Sequence, residues 1–306
     1  EWSDTDFMAF RLRQGVYGQR QDDAQMLRVK VPFGGLTADQ LDALGVVAER
    51  FAPLYKGHVT TRENFQFHFM KLEDTPSIMR LLGNAGLTTR EACGNTVRNV
   101  TACPIAGVCR DETFDVTPHA EASMRFLLGH PDAQDFGRKF KVAFSGCRQH
   151  ACGLVNMHDF GAIGVTKEVD GVTQRGFEVY VGGGLGAVPH EAKLFEPFMA
   201  EDEILPTLQA MSRVFARLGE KKNRARARIK FLVAQLGLEE FRRLVREERA
   251  ALPGDDRWTG YLDDLPAYGE QPLKTGQALG DEAGSPAFQA WARTNVYHQR
   301  QPGYVT

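Results

Sequence analysis

The chain has 306 residues, of which 42% are apolar and 25% charged, and its formal net charge is −2. This composition is typical of a globular protein with a substantial core, and it excludes disorder over most of the chain. The balanced charge predicts neither nucleic acid nor an anionic membrane as a partner. No apolar run approaches the ~20 residues that span a bilayer, and no signal peptide is visible. Five cysteines, an odd number, argue against a secreted disulfide scaffold and favour the cytoplasm.

The first third of the chain has the pattern strand, helix, strand, helix, which predicts a ferredoxin-like α/β unit. Residues 26–31 alternate between apolar and basic side chains, as a half-buried strand does. Thr37 and Gln40 have the spacing of a capping box, which predicts a helix beginning after Thr37. An extended segment over 58–70 and a helix starting near residue 75 complete the unit.

The extended segment 58–70 presents two different faces. Phe65, Phe67 and Phe69 share one parity and are predicted to point into the core. A set of polar residues with the opposite parity is predicted to share the other face of the sheet. These residues are Thr60, Arg62, Gln66 and His68.

The rest of the chain is predicted to be mixed α/β and then helical. Strands are predicted over 139–144 and 176–181, followed by amphipathic helices with a break at Gly237. A basic run over 221–228 leads into one of these helices without aromatic residues, so we interpret it as solvent-exposed rather than as a nucleic-acid site. Residues from about 251 onward are rich in Gly, Pro and acidic side chains and are predicted to be a linker.

One short repeat is visible near the two ends of the chain. The sequence VYGQRQ at residues 16–21 recurs as VYHQRQ at residues 296–301. This match predicts that a second copy of the first unit begins close to the last residue.

Four of the five cysteines form two close pairs. Cys103 and Cys109 have five residues between them, and Cys147 and Cys152 have four. Two such pairs bring four thiols together, for which the candidates are zinc and an iron–sulfur cluster. Structural zinc favours pairs with about two to four intervening residues, and glycine beside the cysteines favours a cluster, because backbone must approach inorganic sulfur closely. Cys93 has no partner and is predicted to be structural.

Six features, taken in order, resemble the nitrite and sulfite reductase family, whose members carry sirohaem coupled to a [4Fe–4S] cluster. The similarity runs from about residue 10 to residue 249 and restarts near Trp291. The features are MLRVKVP at 26–32, TTRENFQFH at 60–68, GNTVRN at 94–99, the two cysteine pairs, RKFK at 138–141 and GGGLG at 182–186.

The fold class that this resemblance implies is α+β. It places a ferredoxin-like α/β half-domain over residues 1–92 and a mixed α/β sirohaem and [4Fe–4S] domain over residues 93–250. Residues 251–306 would then hold a linker and the first strand of a second repeat.

The resemblance also implies which residues bind the cofactors and the substrate. The cluster ligands would be Cys103, Cys109, Cys147 and Cys152, with Cys152 also bridging to the sirohaem iron. The second pair departs from the family's pattern, because it has four intervening residues where the family has three. The residues implied to line the substrate side of the iron are Arg28, Arg98, Lys139 and Lys141. The residues implied to bind the macrocycle are Thr60, Arg62, Gln66, His68, Asn99, Gly183 and Gly184.

The function implied by the resemblance is an enzyme that reduces nitrite to ammonia or sulfite to sulfide with six electrons. Ferredoxin or a flavoprotein would donate the electrons, and the second half of the same protein would be a further partner; nitrite and sulfite both remain open as substrates. The alternative is a non-catalytic pseudo-repeat whose cluster lies on the second half. A zinc-stapled α/β binding module is a third reading.

Overall fold

The computed structural model describes residues 2–150, 152–268, 274–275 and 284–306. These residues form two α/β units, each built on a four-stranded sheet with its own apolar core. Within these ranges no helix is both long enough and apolar enough to cross a membrane.

The first unit has an antiparallel sheet with the strand order β1–β2–β4–β3. Its elements are α1 (Asp4–Arg13), β1 (Val16–Gly18), β2 (Gln25–Val29), α2 (Ala38–Phe51), β3 (His58–Val59), β4 (Phe65–Met70) and α3 (Thr75–Asn84). The predicted capping box is present at the start of α2. Thr37 Oγ1 accepts the N–H of Gln40 at 3.3 Å, and Gln40 Oε1 accepts the N–H of Thr37 at 3.1 Å.

The core of this unit lies between the sheet and the helices α2 and α3. Leu27 of β2 and Phe67 of β4 are fully buried there, together with Val47 of α2 and Leu82 of α3. Burial of such large apolar side chains contributes roughly 1.5–3 kcal/mol each. Apolar packing on the inner face therefore stabilises the sheet, and polar side chains can occupy the outer face.

The prediction that Phe69 belongs to the core is wrong. Phe67 is fully buried and Phe65 packs against the core, but the side chain of Phe69 is exposed. The backbone of Phe69 has φ of 60°, and the register of β4 against β2 shifts between Gln25 and Leu27. This bulge breaks the alternation of faces, so Met70 takes the inward position instead.

The second unit has the strand order β5–β6–β7–β8, in which β5 and β6 are parallel and the other pairs antiparallel. Its elements are α4 (Thr117–Leu127), β5 (Val142–Ser145), β6 (Phe160–Val169), β7 (Val172–Val181), β8 (Lys193–Ala200), α5 (Ile204–Leu218), α6 (Ile229–Leu236) and α7 (Leu238–Ala251). The predicted break at Gly237 separates α6 from α7, where Gly237 has φ of 81°. The strand predicted over 139–144 begins only at Val142, which leaves the two lysines before it outside the strand.

The segment predicted to be a linker contains ordered elements. Short 3₁₀ helices span Asp256–Trp258 and Gly260–Tyr268, and α8 spans Pro286–Asn295. Trp258 anchors this segment, because it is buried in the second core and its Nε1–H donates to Gln209 at 2.9 Å. The remaining part of the predicted linker, residues 269–273 and 276–283, lies outside the described residues.

Candidate functional site

A cavity of about 440 Å³ is lined by residues of both units. The described residues that line it include six cations and no Asp or Glu. The cations are Arg13, Arg28, Arg98, Arg138, Lys139 and Arg224. A concave site with this charge attracts anions, and arginine in particular matches carboxylates and oxyanions.

Arg28 and Arg98, two of the predicted substrate residues, are held side by side by neutral acceptors. Arg28 lies on β2, and its Nε donates to Gln66 Oε1 at 2.9 Å. Both guanidinium groups donate to the backbone carbonyl of Ala92, Arg28 at 3.2 Å and Arg98 at 3.1 Å. Arg98 also donates to the carbonyl of Gly94 at 3.0 Å. Because these acceptors carry no formal charge, both arginines keep their full positive charge towards the cavity.

Lys139 and Lys141 lie just before β5 and complete the predicted substrate set. Burial, followed by the nearest cation, lowers the pKa of each lysine to about 8; that cation is Arg98 for Lys139 and Arg62 for Lys141. Burial likewise lowers the pKa of Arg98 to about 10, with repulsion from Arg28 among the causes. The site therefore has an excess of positive charge that a bound anion would relieve.

Arg62 is positioned by a histidine that the sequence did not single out. Its Nη2 donates to the carbonyl of Val142 at 2.8 Å, and its Nη1 lies 2.7 Å from His158 Nε2. His158 Nδ1 lies 2.8 Å from the carbonyl of Leu154, so the ring donates there and accepts from Arg62. Burial, with repulsion from Arg62, lowers the pKa of His158 to about 3. The neutral ring orients Arg62 without offsetting its charge.

Asp159 is a fully buried carboxylate beside these cations. It accepts two hydrogen bonds from Arg228, at 2.9 and 2.7 Å, and the backbone N–H of Lys141 at 2.8 Å. Asp159 thus links the predicted substrate lysine to an arginine contributed by the basic run 221–228. The interpretation of that run as merely solvent-exposed is wrong for Arg228, and Arg224 lines the cavity.

We expect Asp159→Asn to destabilise the chain by about 3–5 kcal/mol, because it leaves Arg228 without its charged partner in a buried position. Urea unfolding at neutral pH measures this difference. Asp135→Asn is the matched control, since Asp135 is exposed and pairs with Lys221 at the surface, and its effect should stay below about 1 kcal/mol. Equal effects of the two substitutions would contradict the structural role of Asp159.

The predicted macrocycle-binding residues of the first unit fall into different environments. Gln66 holds Arg28, as described above, and Asn99 is fully buried with its amide donating to the carbonyls of Val31 and Arg62 at 2.6 and 3.1 Å. Thr60 Oγ1 accepts the N–H of Arg62 at 3.3 Å and so shapes the turn before β4. His68 packs edge-on against the ring of His58 and does not line the cavity. None of these residues lines the cavity itself, and Gln66 and Asn99 contact the cations Arg28 and Arg62, respectively. Burial, His58 and Arg28 lower the pKa of His68, so His68 also lies near a cation of the site.

The glycine-rich loop is held by its own backbone and by a buried lysine. The N–H of Gly183 donates to the carbonyl of His158 at 2.8 Å, and a Cβ at Gly183 would lie 2.5 Å from the carbonyl oxygen of Asn156. Lys230 is almost completely buried, and its ammonium donates to the carbonyl of Gly184 at 3.3 Å and to two further carbonyls of the loop. Only glycine fits at position 183, because the backbone of a neighbouring segment occupies the space of a side chain.

The four paired cysteines gather in one group in the second unit. Cys103, Cys109 and Cys147 are buried and Cys152 is exposed; none forms a disulfide. Burial raises the pKa of the Cys152 thiol, and the thiols of Cys103, Cys147 and Cys109 contribute in that order. Among the described residues, no group of three or more His, Cys, Asp and Glu side chains is placed to hold a metal ion.

The Cys103 sulfur already receives several hydrogen-bond donors. The N–H of Gly146 donates to it at 3.4 Å, the hydroxyl of Ser145 lies 3.2 Å away, and the N–H of Gly153 also points to it. Burial is the largest influence and raises the pKa of the Cys103 thiol, and the three donors act in the opposite direction by favouring the thiolate, which is the form that binds iron.

The cations and the cysteines lie at opposite ends of two adjacent segments. The N–H of Arg98 donates to the carbonyl of Phe140, and Thr101 pairs in parallel with Ala143 further along. The segments then end at Cys103 and Ser145, whose side chains are in contact. Five residues of extended chain span about 15 Å. The cations and the thiols are therefore separated by about this distance along the two segments.

Sequence reasoning missed most of the residues that support this site. Arg138 is adjacent to Lys139, which was predicted. Lys30 lies within the segment 26–32 that resembles the family; its ammonium is buried and donates to the carbonyl of Val97 at 3.1 Å. His158, Asp159 and Lys230 carried no local signal, because their partners are distant in sequence.

The fold and the site define a two-unit α/β protein with a cation-lined cavity and a separate group of four thiols. Two family profiles match the chain: "Nitrite and sulphite reductase 4Fe-4S domain" over residues 93–253, and "Nitrite/Sulfite reductase ferredoxin-like half domain" over residues 17–85. The chain belongs to the nitrite and sulfite reductase family, as the resemblance predicted. The predicted fold class is confirmed.

Individual relatives agree with this assignment. The chain is 35% identical over 228 residues to a Mycobacterium tuberculosis protein named sulfite reductase [ferredoxin], covering 74% of this chain and 40% of the relative. It is 33% identical over 247 residues to the assimilatory ferredoxin-dependent nitrite reductase of Haloferax mediterranei, covering 76% and 42%. The chain thus spans about two fifths of the length of these curated relatives.

Solved structures show the same fold. The structure of the Mycobacterium tuberculosis NirA protein matches with a TM-score of 0.74 at 32% identity, covering 82% of this chain and 48% of that one. Dissimilatory sulfite reductase I matches with a TM-score of 0.59 at 12% identity, covering 89% of this chain and 78% of that one, which shows the fold alone.

Membership of the family implies a [4Fe–4S] cluster and sirohaem, and the residue types present suit both groups. The described thiols are not already placed to hold a single metal ion, so their fit to the cluster rests on donor chemistry and not on geometry. Four cysteine thiols are the donor set of a [4Fe–4S] cluster. The cation-lined cavity suits a macrocycle that carries eight carboxylates. Arg62 Nε and Arg138 Nη1 are buried without a hydrogen-bond partner, and unsatisfied donors of this kind are satisfied by an acceptor on a bound ligand.

Proposed function

We propose that this chain forms part of a sirohaem- and [4Fe–4S]-dependent reductase that converts nitrite to ammonia or sulfite to sulfide. The observation that carries the proposal is the cavity with six cations and no carboxylate among its described lining residues. Arg28, Arg98, Lys139 and Lys141 act as the anion-binding set, and Cys103, Cys109, Cys147 and Cys152 act as the cluster ligands. When bound, the two cofactors supply the electron-transfer chemistry.

The cations of the chain bind and orient the anion. Arg28 and Arg98 are preorganised by the shared carbonyl of Ala92, so they offer charge to the developing negative oxygen without having to reorganise. Arg62 is held in place by neutral His158, so it adds to the positive field that binds the carboxylates of the macrocycle.

Lys139 and Lys141 hold the protons that the reaction consumes. Their pKa values of about 8 leave each ammonium protonated at neutral pH, yet much more acidic than an ordinary lysine. A proton donor whose pKa lies near the working pH is the efficient choice for general acid catalysis.

We expect anion binding and stability to respond to pH in opposite directions. The folded pKa of Lys139 and Lys141 is about 8, and their unfolded pKa is about 10.4. Between these values the unfolded chain binds more protons, so the stability of the anion-free chain rises with pH. Over the same range the lysines lose charge, so sulfate, used as an inert anion, should bind more weakly.

The measurement is urea unfolding and sulfate titration calorimetry between pH 7 and pH 10.5. The variant in which both lysines are replaced by Met serves as the control, because it lacks the two titrating groups. A wild-type chain that behaves like this variant in both measurements would contradict the assignment.

The partners follow from the relatives. Those that match this chain are named as ferredoxin-dependent enzymes, which supports ferredoxin as the electron donor. The cations and the thiols lie apart, and the relatives are longer than this chain. Both facts support a second half of the protein that contributes further residues to the cation site and to the thiol site. We also propose the domain division 1–92, 93–250 and 251–306, which the two separate cores support at its first boundary.

The separation also defines the second candidate function, a non-catalytic half that binds the macrocycle while the working cluster lies elsewhere. The reductase is tested by reconstituting the chain anaerobically and supplying reduced methyl viologen with nitrite or sulfite. Formation of ammonium or sulfide with consumption of about six equivalents of reduced methyl viologen per anion, each supplying one electron, supports the reductase. Sirohaem binding without either product supports the non-catalytic half.

A further inference from the structure

The second copy of the sequence repeat lies against the cysteine group. Residues 296–306, here called the C-terminal hairpin, fold back through a bridge between His298 and Val305. An antiparallel bridge between Gln299 and Cys109 joins this hairpin to the first cysteine pair.

The side chain of Tyr297 contacts the sulfur of Cys109. Its hydroxyl oxygen lies 3.3 Å from Cys109 Sγ, accepts the N–H of Arg110 at 3.2 Å, and lies 3.4 Å from an oxygen of Asp111. The single hydroxyl hydrogen can point to the sulfur or to the carboxylate. The distance to sulfur is normal for this larger atom, whereas 3.4 Å is long for an O–H···O bond. As a thiol, Cys109 can donate to the phenol while the phenol donates to Asp111. As a thiolate ligand its sulfur can only accept, so the phenol then donates to Cys109.

The hairpin is anchored by contacts that flank this one. The backbone N–H of Arg300 donates to the carbonyl of Val108 at 2.9 Å, and its guanidinium lies 3.3 Å from the buried carboxylate of Glu112. Gln301 Nε2 donates to the carbonyl of Gly107 at 3.1 Å. Cys109, beneath the hairpin, is only 7% exposed.

We propose that Tyr297 is a positioning residue for Cys109, and that the C-terminal hairpin covers this sulfur while the phenol donates a hydrogen bond to it. The inference rests on the proposed function, in which Cys109 ligates the cluster. A hydrogen bond to a ligand sulfur stabilises the reduced cluster, which carries more negative charge. Loss of the hydroxyl should therefore move the reduction potential of the cluster to a more negative value.

The test compares Tyr297→Phe with Tyr304→Phe in the full chain. Tyr304 lies in the same hairpin, and its buried hydroxyl has no hydrogen-bond partner among the described residues, so it is a matched control. The first readout, on cluster-free protein, is the rate of iodoacetamide alkylation at Cys109, followed by peptide mass analysis. The second, on reconstituted protein, is the midpoint potential of the cluster.

We expect Tyr297→Phe to be alkylated about two- to three-fold more slowly than wild type, because the reactive thiolate of Cys109 loses a donor that stabilises it while the phenyl ring still covers the sulfur, and to have a more negative potential. Arg300→Ala, which releases the anchor, should expose Cys109 further, and Tyr304→Phe should match wild type. Wild-type alkylation and potential in Tyr297→Phe would overturn the inference. A wild-type chain that takes up no labile sulfide would contradict the proposed function instead, while the alkylation rates still decide the role of Tyr297.

Discussion

Arg98→Ala should lower the turnover number by about 100-fold, the loss observed when one preorganised donor to a developing oxyanion is removed. Its stability should change by less than about 1 kcal/mol, because the two carbonyl contacts that are lost are balanced by relief of repulsion from Arg28. Steady-state kinetics with nitrite and sulfite, and urea unfolding, measure the two effects separately.

Arg98→Ala also has a consequence that a purely structural role would not produce. After burial, Arg98 is the largest influence that lowers the pKa of Lys139, so its removal should move the alkaline limb of the pH profile upwards. Arg80→Ala is the control, because Arg80 is exposed on α3, outside the described lining of the cavity, and donates to Ser77 Oγ at 3.5 Å. An Arg98→Ala variant with full activity and an unshifted profile would show that Arg98 does not contact the substrate.

Cys103→Ser should abolish cluster assembly in this chain. Cys103 is a proposed cluster ligand, and its sulfur already receives the N–H donors of Gly146 and Gly153, which are the kind of donors that a ligand sulfur accepts. We expect labile sulfide to fall to background and iron to fall to at most the amount of the haem. Iron and acid-labile sulfide assays on the anaerobically reconstituted protein measure this loss.

The control for Cys103→Ser is Cys93→Ser. Cys93 is buried beside the cation cavity, outside the cysteine group, and its sulfur lies 3.5 Å from Arg28. This variant should keep the iron and sulfide content of wild type. Retention of labile sulfide in Cys103→Ser would mean that the cysteine group of this chain does not hold the cluster.

The secondary structure of the first unit was predictable because its signals are local. The capping box at Thr37 depends on residues three positions apart and is present, and the alternating segment 26–31 does form a strand as far as Val29. The alternation of exposure was wrong, because Met26 and Lys30 are buried together with Leu27 and Val29. Phe69 shows where such reasoning fails, since the bulge that turns its side chain outwards depends on the register with β2.

The cations of the site were predictable only in part, and for a similar reason. Arg28 and Arg98 were found through the resemblance of their segments to the family. Asp159 and Arg228 were missed, because their ion pair joins residues that are distant in sequence and only the packing of the second unit brings them together. Residues that support the site through tertiary contacts of this kind cannot be recognised from a short sequence motif.

The C-terminal hairpin shows that a motif can be recognised in the sequence while its position in the structure stays unpredicted. The repeat at 296–301 was visible in the sequence, and its first copy contains β1, which pairs with β2 in the first sheet. The second copy instead contacts the loop of Cys109. Two nearly identical motifs thus have different partners, so sequence similarity alone could not predict the position of the second.

The measurement that tests the central claim most directly is the visible spectrum of the chain after anaerobic reconstitution with sirohaem, iron and sulfide, with iron and sulfide assayed on the same sample. The account predicts sirohaem bands together with about four iron and four sulfide per chain beyond the haem iron. A colourless protein that contains zinc, or one that binds neither sirohaem nor sulfide, would contradict it.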